Sequence, residues 1–136
     1  MNYFLAKSEP QTYSIDDLER DGNAVWDGVR NAQALRVIQS MRKGDRVFIY
    51  HSGGESRVVG LAEVTAHSRP DPKNEKLTVV DLRFLTRLNP GASLAGIKQS
   101  GLFADWALVR QSRLSTMAAP DSFLAWIRAR HPGINI

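Results

Sequence analysis

The sequence predicts an α+β protein: a curved, mostly antiparallel β-barrel of about five to six strands with flanking helices. Short apolar segments rich in β-branched and aromatic residues recur along the chain, and turn residues separate them. Segments with helical periodicity lie mainly near the ends and in the connections. A small sheet leaves edges to protect, and closure into a barrel protects them. A chain of 136 residues is within the usual range for one core, so we expect residues 1–136 to form a single domain.

The N-terminal segment begins with "NYFLAK", which is predicted to be a short buried strand. Pro10 marks a turn after it, because proline restricts the preceding residue to extended conformations. Ser14 and Asp17 then form an S-x-x-D capping pattern ahead of Leu18. The segment "SIDDLER" is therefore predicted to be a short helix that ends near Gly22.

A second helix is predicted over residues 31–42, "NAQALRVIQSMR". Its apolar residues recur three and four positions apart and are Ala34, Leu35, Ile38 and Met41. Asn31 is placed to cap the start of this helix. Gly44 follows two cationic residues that favour the negative end of a helix, so we expect the helix to close there.

The middle of the chain is predicted to be mainly strand. Residues 46–52 and 57–66 are apolar, and the turn-rich "GGES" between them indicates an antiparallel pair. Gly60 marks a bulge or a barrel bend within the second strand. Residues 69–76 are expected to be a loop, and residues 77–88 alternate apolar and polar side chains, as a half-exposed strand does.

The C-terminal third mixes weaker patterns. Residues 93–100 are typical of a short helix, whereas "WALVR" at 106–110 and "RLSTM" at 113–117 are predicted to be two strands joined by a tight turn. Residues 120–130 are predicted to be a helix that Pro120 and Asp121 open.

The charges are unevenly distributed along the chain. The formal net charge is +4, yet residues 1–27 carry two basic and six acidic side chains, so the remainder carries a net charge of +8. Such asymmetry could form a basic face, the footprint of a nucleic-acid binder, or scattered solvated arginines. Cysteine is absent, which excludes disulfides, thiolate catalysis and cysteine-based metal sites.

The sequence contains no feature that directs it to a membrane. No apolar run approaches the roughly 18 residues needed to cross a bilayer. The N-terminal segment lacks the basic flank, apolar stretch and small-residue cleavage site of a secretory signal. We therefore expect a cytoplasmic protein without a membrane partner.

Catalytic patterns are absent: we find no phosphate-binding loop, dinucleotide fingerprint, zinc-protease motif or nucleophile elbow. None of the histidines has a metal-ligand companion at i+3 or i+4; they are His51, His67 and His131. Asp27, His51 and either Ser52 or Ser8 could form a triad on paper, but no strained nucleophile turn supports it. We expect a protein that is not an enzyme, with no metal and no cofactor.

A binding pocket has better support. Planar and hydrogen-bonding side chains occur where elements end, which is where binding sites are built. These side chains are Trp26, Arg30, Asn31, Tyr50, His51 and Ser52. Each also has a structural explanation: a core tryptophan, a surface ion pair, a helix cap, a buried strand aromatic or a satisfied histidine at a strand end.

Six motifs together are more informative than any of them alone. They are "KSEP" at 7–10, "WDGVRN" at 26–31, "GD" at 44–45, "YHS" at 50–52, "PDP" at 70–72 and "LVRQSRLS" at 108–115. In this order they resemble the EVE domain family over nearly the whole chain. This family belongs to the PUA-like fold group, is related to the YTH readers of methylated adenine, and is associated with modified bases, notably modified cytosine in DNA.

The resemblance implies a set of base-pocket residues. They are Lys7, Ser8, Trp26, Val29, Arg30, Asn31, Tyr50, His51, Ser52, Leu114 and Ser115. Family members often continue "WDGVRN" with a tyrosine and then Q-A-R-N, whereas this chain has Ala32 and Leu35 in place of that tyrosine and arginine. The resemblance therefore identifies the fold more firmly than the base.

The predicted function is a non-catalytic module that recognises a modified base in nucleic acid by base flipping. Modified cytosine in DNA and a modified base in RNA are both open, and Trp26 and Tyr50 are expected to flank the flipped base. One alternative is a small hydrolase or nuclease that acts on nucleic acid or nucleotides, with His51 as acid and base. The other is a protein-interaction module.

Overall fold

Seven strands and five helices make up the computed structural model, which describes residues 1–136. The strands are β1 (Tyr3–Ser8), β2 (Asn23–Trp26), β3 (Arg46–His51), β4 (Arg57–Val64), β5 (Arg69–Asp71), β6 (Asn74–Ser93) and β7 (Thr116–Ala118). The helices are α1 (Ile15–Asp21), α2 (Ala32–Gln39), α3 (Leu94–Gln99), α4 (Ala107–Arg110) and α5 (Asp121–Arg130). None of these helices has the length and apolar character that crossing a bilayer requires.

The sheet has the strand order β2-β6-β4-β3-β1-β7, and β5 pairs with β6. Only β1 and β3 run parallel, and every other pair is antiparallel. The α+β class and the curved, mostly antiparallel sheet are thus confirmed. The predicted closure into a barrel is not observed, because the ladder remains open at β2 and β7, which have four and three residues. Short edge strands limit the pairing of the sheet with other chains, and closure of the sheet into a barrel would have had the same effect.

Apolar side chains cover both faces of the sheet. Along β3, Val47 and Ile49 join one core cluster with α1, whereas Phe48 and Tyr50 join another that contains much of α5. Successive residues of a strand point to opposite faces, so a strand buried on both faces needs a continuous apolar run. This requirement explains why "RVFIYH" does not alternate.

The predicted start signals of the first two helices are confirmed. Ser14 and Asp17 form a reciprocal capping box at α1, and Gly22 ends that helix with a φ of 75°. Asn31 caps α2 through its side chain. Helix α2 ends at Gln39, three residues before the predicted end at Arg42. The buried Asp45 carboxylate accepts a hydrogen bond from the backbone N–H of Arg42 at 2.9 Å, which fixes the chain in a turn after the helix, and another from the N–H of Asn2 at 2.9 Å.

The predicted hairpin of β3 and β4 is confirmed, and so is the irregularity at Gly60, where the pairing registers of β4 with both neighbours shift. A Cβ atom there would lie 2.4 Å from Ile15 Cδ1. Glycine at this position therefore allows α1 to pack closely on the sheet.

The prediction of a strand at 106–110 is wrong. The Trp106 carbonyl accepts hydrogen bonds from the N–H groups of Val109 and Arg110, which makes this segment the short helix α4. Trp106 packs against Phe123 with ring centroids 4.7 Å apart, and that tertiary contact outweighs the local β propensity. The predicted strand 113–117 also differs, since β7 begins only at Thr116.

Two strands lie where none was predicted. Residues 23–26 form β2, which pairs with residues 80–83 of β6, and four residues are too few to show a period. Residues 69–76 were expected to be a loop, but they contain β5 and the start of β6. Strand β6 has 20 residues because different parts of it pair with β2, β4 and β5.

Candidate functional site

A cavity of about 660 Å³ opens beside the end of β1 and the segment that joins β2 to α2. Its volume is in the range of small-molecule binding sites. Fourteen residues line it: Lys7, Ser8, Glu9, Thr12, Tyr13, Ala24, Val25, Trp26, Asp27, Gly28, Val29, Arg30, Asn31 and Ser115. The cavity thus collects the "KSE" part of the first motif and the whole of "WDGVRN".

The "WDGVRN" segment turns from strand to helix within six residues. Trp26 is the last residue of β2 and only 9% exposed. Gly28 has a φ of 78°, in the left-handed region that glycine adopts without a steric cost. Asn31 then caps α2. The turn therefore places a buried indole and a helix cap at the same cavity.

Tyr13 forms an aromatic pair with Trp26 at the cavity. The two rings meet edge to face, with centroids 6.2 Å apart and planes at 82°. The Tyr13 hydroxyl donates a hydrogen bond to Asp21 Oδ2 at 2.8 Å. Burial, together with that hydrogen bond, raises the pKa of Tyr13 to about 12. Ser8 Oγ donates to the Tyr13 carbonyl at 2.6 Å and so holds the residue in place.

Lys7 is the half-buried cation of the cavity. Its Nζ donates to the Ser112 carbonyl at 3.0 Å and lies 5.6 Å from the centre of the Tyr50 ring. Burial lowers the pKa of the Lys7 amine. The Lys7 backbone N–H also donates to the Ser115 carbonyl at 2.8 Å, so β1 and the segment before β7 form one wall.

Asn31 and Arg30 have N–H donors to spare at the cavity. Asn31 Oδ1 accepts the N–H of Ala34 at 3.0 Å, whereas its Nδ2 group makes no hydrogen bond within the chain. The exposed Arg30 guanidinium makes neither a hydrogen bond nor an ion pair. Each can donate to a ligand without breaking a contact of the fold.

Seven of the eleven predicted pocket residues line this cavity, and Tyr50 is not among them. Tyr50 is the register partner of Lys7 on β3, and partners in neighbouring strands point to the same face. Lys7 lies over the Tyr50 ring, which is 3% exposed and packed in the core. Leu114 is also a core residue at 4% exposure. The prediction that Tyr50 flanks a base is therefore corrected. Tyr50 is a core residue whose ring packs against the Lys7 side chain.

His51 and Ser52 also lie outside the lining. His51 Nε2 accepts the N–H of Ile15 at 3.0 Å, and Nδ1 lies 3.1 Å from Glu55 Oε2. This pattern assigns the proton to Nδ1, and His51 anchors the start of α1. Ser52 donates its backbone N–H to the Ser8 carbonyl at 3.0 Å. His51 therefore positions α1, and Ser52 holds the lining residue Ser8 from the turn after β3.

A catalytic triad is not assembled, because Asp27 and Ser8 line the cavity while both ring nitrogens of His51 are engaged elsewhere. Nε2 could act as a base only by giving up its bond to the buried N–H of Ile15. No three His, Asp or Glu side chains converge on a point that could hold a metal ion.

Sequence reasoning missed seven lining residues: Glu9, Thr12, Tyr13, Ala24, Val25, Asp27 and Gly28. Three of them, Glu9, Asp27 and Gly28, stand inside the quoted motifs and could have been included on that signal. Tyr13 lies in a segment interpreted as a simple connection. Ala24 and Val25 lie on β2, the strand that carried too few residues to be predicted.

The model of the EVE domain family matches residues 2–130. Thymocyte nuclear protein 1 of Rattus norvegicus is 30% identical over 125 residues, 71% of this chain and 55% of that protein. The same protein of Danio rerio is 30% identical over 148 residues, 82% of this chain and 64% of that protein. The chain spans about half the length of the curated relatives it matches.

Solved structures share the architecture over nearly the whole chain. A Rhodopseudomonas palustris protein determined by NMR has a TM-score of 0.91 at 33% identity, with 100% of this chain and 97% of that chain covered. The human THYN1 protein, in complex with DNA containing 5-methylcytosine, has a TM-score of 0.86 at 24% identity, with 96% and 98% covered. At 24% identity, the likeness to human THYN1 shows a shared fold and nothing more.

Proposed function

The chain belongs to the EVE domain family, and from this membership and its cavity we propose that it is a non-catalytic module that binds nucleic acid and takes one modified base into the cavity. Modified cytosine in DNA is the base class that we favour, because the human THYN1 protein, which has the same fold, is in complex with DNA containing 5-methylcytosine. A modified base in RNA is the alternative that the experiment below separates.

The combination of side chains in one cavity is the observation that supports this proposal. Trp26 offers an aromatic surface, Val29 and Ala24 offer apolar surface, and Asn31 offers a free amide donor. A base needs these features, since its faces stack on aromatic or apolar groups and its edge is read by hydrogen bonds. The Asn31 amide suits an acceptor edge such as the O2 and N3 atoms of cytosine.

Base flipping is the mode of entry that we propose. The lining residues surround the cavity on several sides, and a base that remains stacked inside a duplex cannot be surrounded in this way. The nucleotide therefore rotates out of its stack, and the protein compensates the lost stacking with Trp26 and the apolar lining. Stacking on an aromatic side chain contributes about 1–3 kcal/mol per base.

The apolar part of the lining gives discrimination of limited size. One additional methyl group in an apolar pocket is worth about 1–3 kcal/mol, which corresponds to roughly 5- to 150-fold in affinity. We therefore expect 5-methylcytosine to be preferred over cytosine within that range. A larger ratio would mean that a polar modification is hydrogen-bonded.

Substitution at Asn31 tests the proposal without disturbing the fold. Asp is as good a helix cap as Asn, so Asn31→Asp keeps the acceptor for the Ala34 N–H while it removes the free amide donor. We expect unchanged thermal stability and a loss of binding to an oligonucleotide with one 5-methylcytosine, measured by fluorescence anisotropy. Matched oligonucleotides with cytosine, in DNA and in RNA, identify the preferred ligand.

Asn74→Asp is the matched control. Asn74 Oδ1 accepts the N–H of Lys76 in the exposed β5–β6 turn, so this variant makes the same chemical change away from the cavity. We expect Asn74→Asp to bind like the unmodified protein. Equal affinity of the protein for modified and unmodified oligonucleotides contradicts modified-base recognition, and equal binding by the two Asn→Asp variants contradicts the role of the cavity.

A further inference from the structure

Two groups of arginines in this chain differ in their surroundings. Those on α1, β5 and β6 are neutralised by acidic side chains. The pairs are Arg20 with Asp17 and Asp21, Arg69 with Asp81, Arg83 with Glu63, and Arg87 with Asp16 and Glu19. Four of the six acidic side chains in the first 27 residues are thus paired with arginine, whereas Glu9 and Asp27, which line the cavity of about 660 Å³, are not.

The second group lies just before α2, on α2, at the end of α4 and in the connection from α4 to β7. Arg30, Arg36 and Arg113 are exposed and have no carboxylate oxygen within 4 Å. Arg110 has one loose partner, Asp105, at 3.7 Å, and both of these side chains are exposed. These four arginines therefore have one weakly held carboxylate partner among them.

A second cavity is lined by two of these arginines, Arg110 and Arg113. It has a volume of about 320 Å³ and separates the start of α2 from the α4–β7 connection. We refer to it as the arginine cleft, and its lining residues are Asn31, Gln33, Arg110, Gln111, Ser112, Arg113 and Leu114. No carboxylate lines it, and six of the seven side chains are polar.

The arginine cleft adjoins the cavity of about 660 Å³ beside Trp26, which we call the base cavity. Asn31 lines both. Lys7, which lines the base cavity, donates to the carbonyl of Ser112 in the wall of the cleft. A ligand that fills one cavity can therefore continue directly into the other.

Phosphodiester is the ligand chemistry that fits. Two guanidinium groups and the carboxamides of Gln33 and Gln111 present many N–H donors and no anionic group. Arginine binds phosphate through paired N–H donors, and unpaired arginines held together create the positive potential that attracts an anion.

We propose that the arginine cleft binds the backbone phosphate next to the flipped nucleotide, with Arg110 and Arg113 as the phosphate ligands. This inference rests on the proposed function, because it takes the flipped base in the adjoining cavity as its starting point. The base cavity then determines which base is preferred, and the cleft contributes affinity that does not depend on the modification.

The double variant R110Q/R113Q tests this division of roles. At 0.1 M salt each lost phosphate contact is expected to weaken single-strand binding about fivefold, so the double variant should lose about 25-fold. The slope of log Kd against log salt should fall by about 1.4 in magnitude. The ratio of affinities for the 5-methylcytosine oligonucleotide and its unmodified counterpart should remain that of the parent protein.

K73Q/K76Q is the matched control, since it removes two positive charges from exposed lysines at the β5–β6 turn. We expect this variant to keep the salt slope of the parent. A slope and affinity for R110Q/R113Q that equal those of the control overturn the inference. R113Q alone, with an expected fivefold loss, provides the same test if the double variant melts at a lower temperature.

The outcomes separate this inference from the proposed function. If the parent protein prefers the modified oligonucleotide and R110Q/R113Q binds as tightly as the control, only the cleft is refuted. If the parent binds both oligonucleotides equally and the arginine variant weakens both, modified-base recognition is refuted and the phosphate site stands. If the parent binds neither oligonucleotide, both are overturned.

Discussion

Trp26 is where the hydrophobic core and the proposed base site meet, and its replacement by alanine should affect both. The side chain is 9% exposed and belongs to the same core cluster as Ile38. It also lines the cavity and packs edge to face against Tyr13. We predict that Trp26→Ala weakens both folding and base binding, whereas Ile38→Ala weakens only folding.

The expected magnitudes follow from burial. Removal of a buried tryptophan side chain costs about 3–5 kcal/mol, and Ile→Ala in a core costs about 2–5 kcal/mol. Against a typical domain stability of about 5–15 kcal/mol, both variants should remain folded in the cold. The lost stacking surface costs Trp26→Ala a further 1–3 kcal/mol of binding free energy, about 5- to 150-fold in Kd.

The assay is a paired measurement. Urea denaturation gives the free energy of unfolding of each variant, and fluorescence anisotropy at 10 °C gives the Kd for the 5-methylcytosine oligonucleotide. Ile38 is fully buried and does not line the cavity, so Ile38→Ala reports what destabilisation alone does to binding. Trp26→Phe keeps a ring against Tyr13 and provides an intermediate point.

Two results would refute this reasoning. If Trp26→Ala and Ile38→Ala bind the oligonucleotide equally well, the indole contributes nothing to the base site. If Trp26→Phe loses binding completely while its stability is unchanged, stacking area is not the cause, since phenylalanine retains most of an aromatic face.

Three further predictions concern single side chains. Lys7→Met should change the free energy of unfolding by no more than about 1 kcal/mol from that of the parent protein, because burial already disfavours the charged amine and lowers its pKa. Its affinity for the oligonucleotide should fall at low salt, because one positive charge is lost. Equal anisotropy curves for the variant and the parent would contradict this prediction. Gly91→Ala and Gly60→Ala should each destabilise the fold by about 1–3 kcal/mol in urea denaturation, because the new Cβ would lie 2.5 Å from the Val58 carbonyl oxygen at position 91 and 2.4 Å from the buried Ile15 side chain at position 60. Unchanged unfolding free energies would contradict this prediction. The pKa of Tyr13 is about 12 in the folded state and near 10 in the unfolded state, so between these pH values only the folded state keeps the phenol proton. The free energy of unfolding should therefore fall between pH 10 and 12. Tyr13→Phe should reduce that fall in alkaline denaturation curves.

Features encoded within a few neighbouring residues were predictable. The capping box of Ser14 and Asp17, the cap at Asn31 and the irregularity at Gly60 were all predicted from residue type and spacing, and the structure contains each. Caps and turns depend on hydrogen bonds between residues close in sequence, so the pattern carries the information.

Features that depend on residues distant in sequence could not be predicted. Strand β2 exists because β6 lies beside it, and α4 exists because Trp106 packs against Phe123. Propensity over four or five residues is too weak to decide between strand and helix when such contacts act. The open ladder is a further case, since pairing at the two edges depends on where the whole sheet ends.

The sequence by itself determined the family, the sheet-based α+β architecture and seven of the cavity residues, because the motifs "KSEP" and "WDGVRN" each supply a continuous piece of the wall. Only the tertiary structure decided which neighbouring side chains reach the cavity. The parallel register of β1 and β3 places Tyr50 beneath Lys7 and directs His51 toward α1. A strand's alternation is visible in the sequence, but which face meets the core and which meets the site is set by the elements that pack on each side.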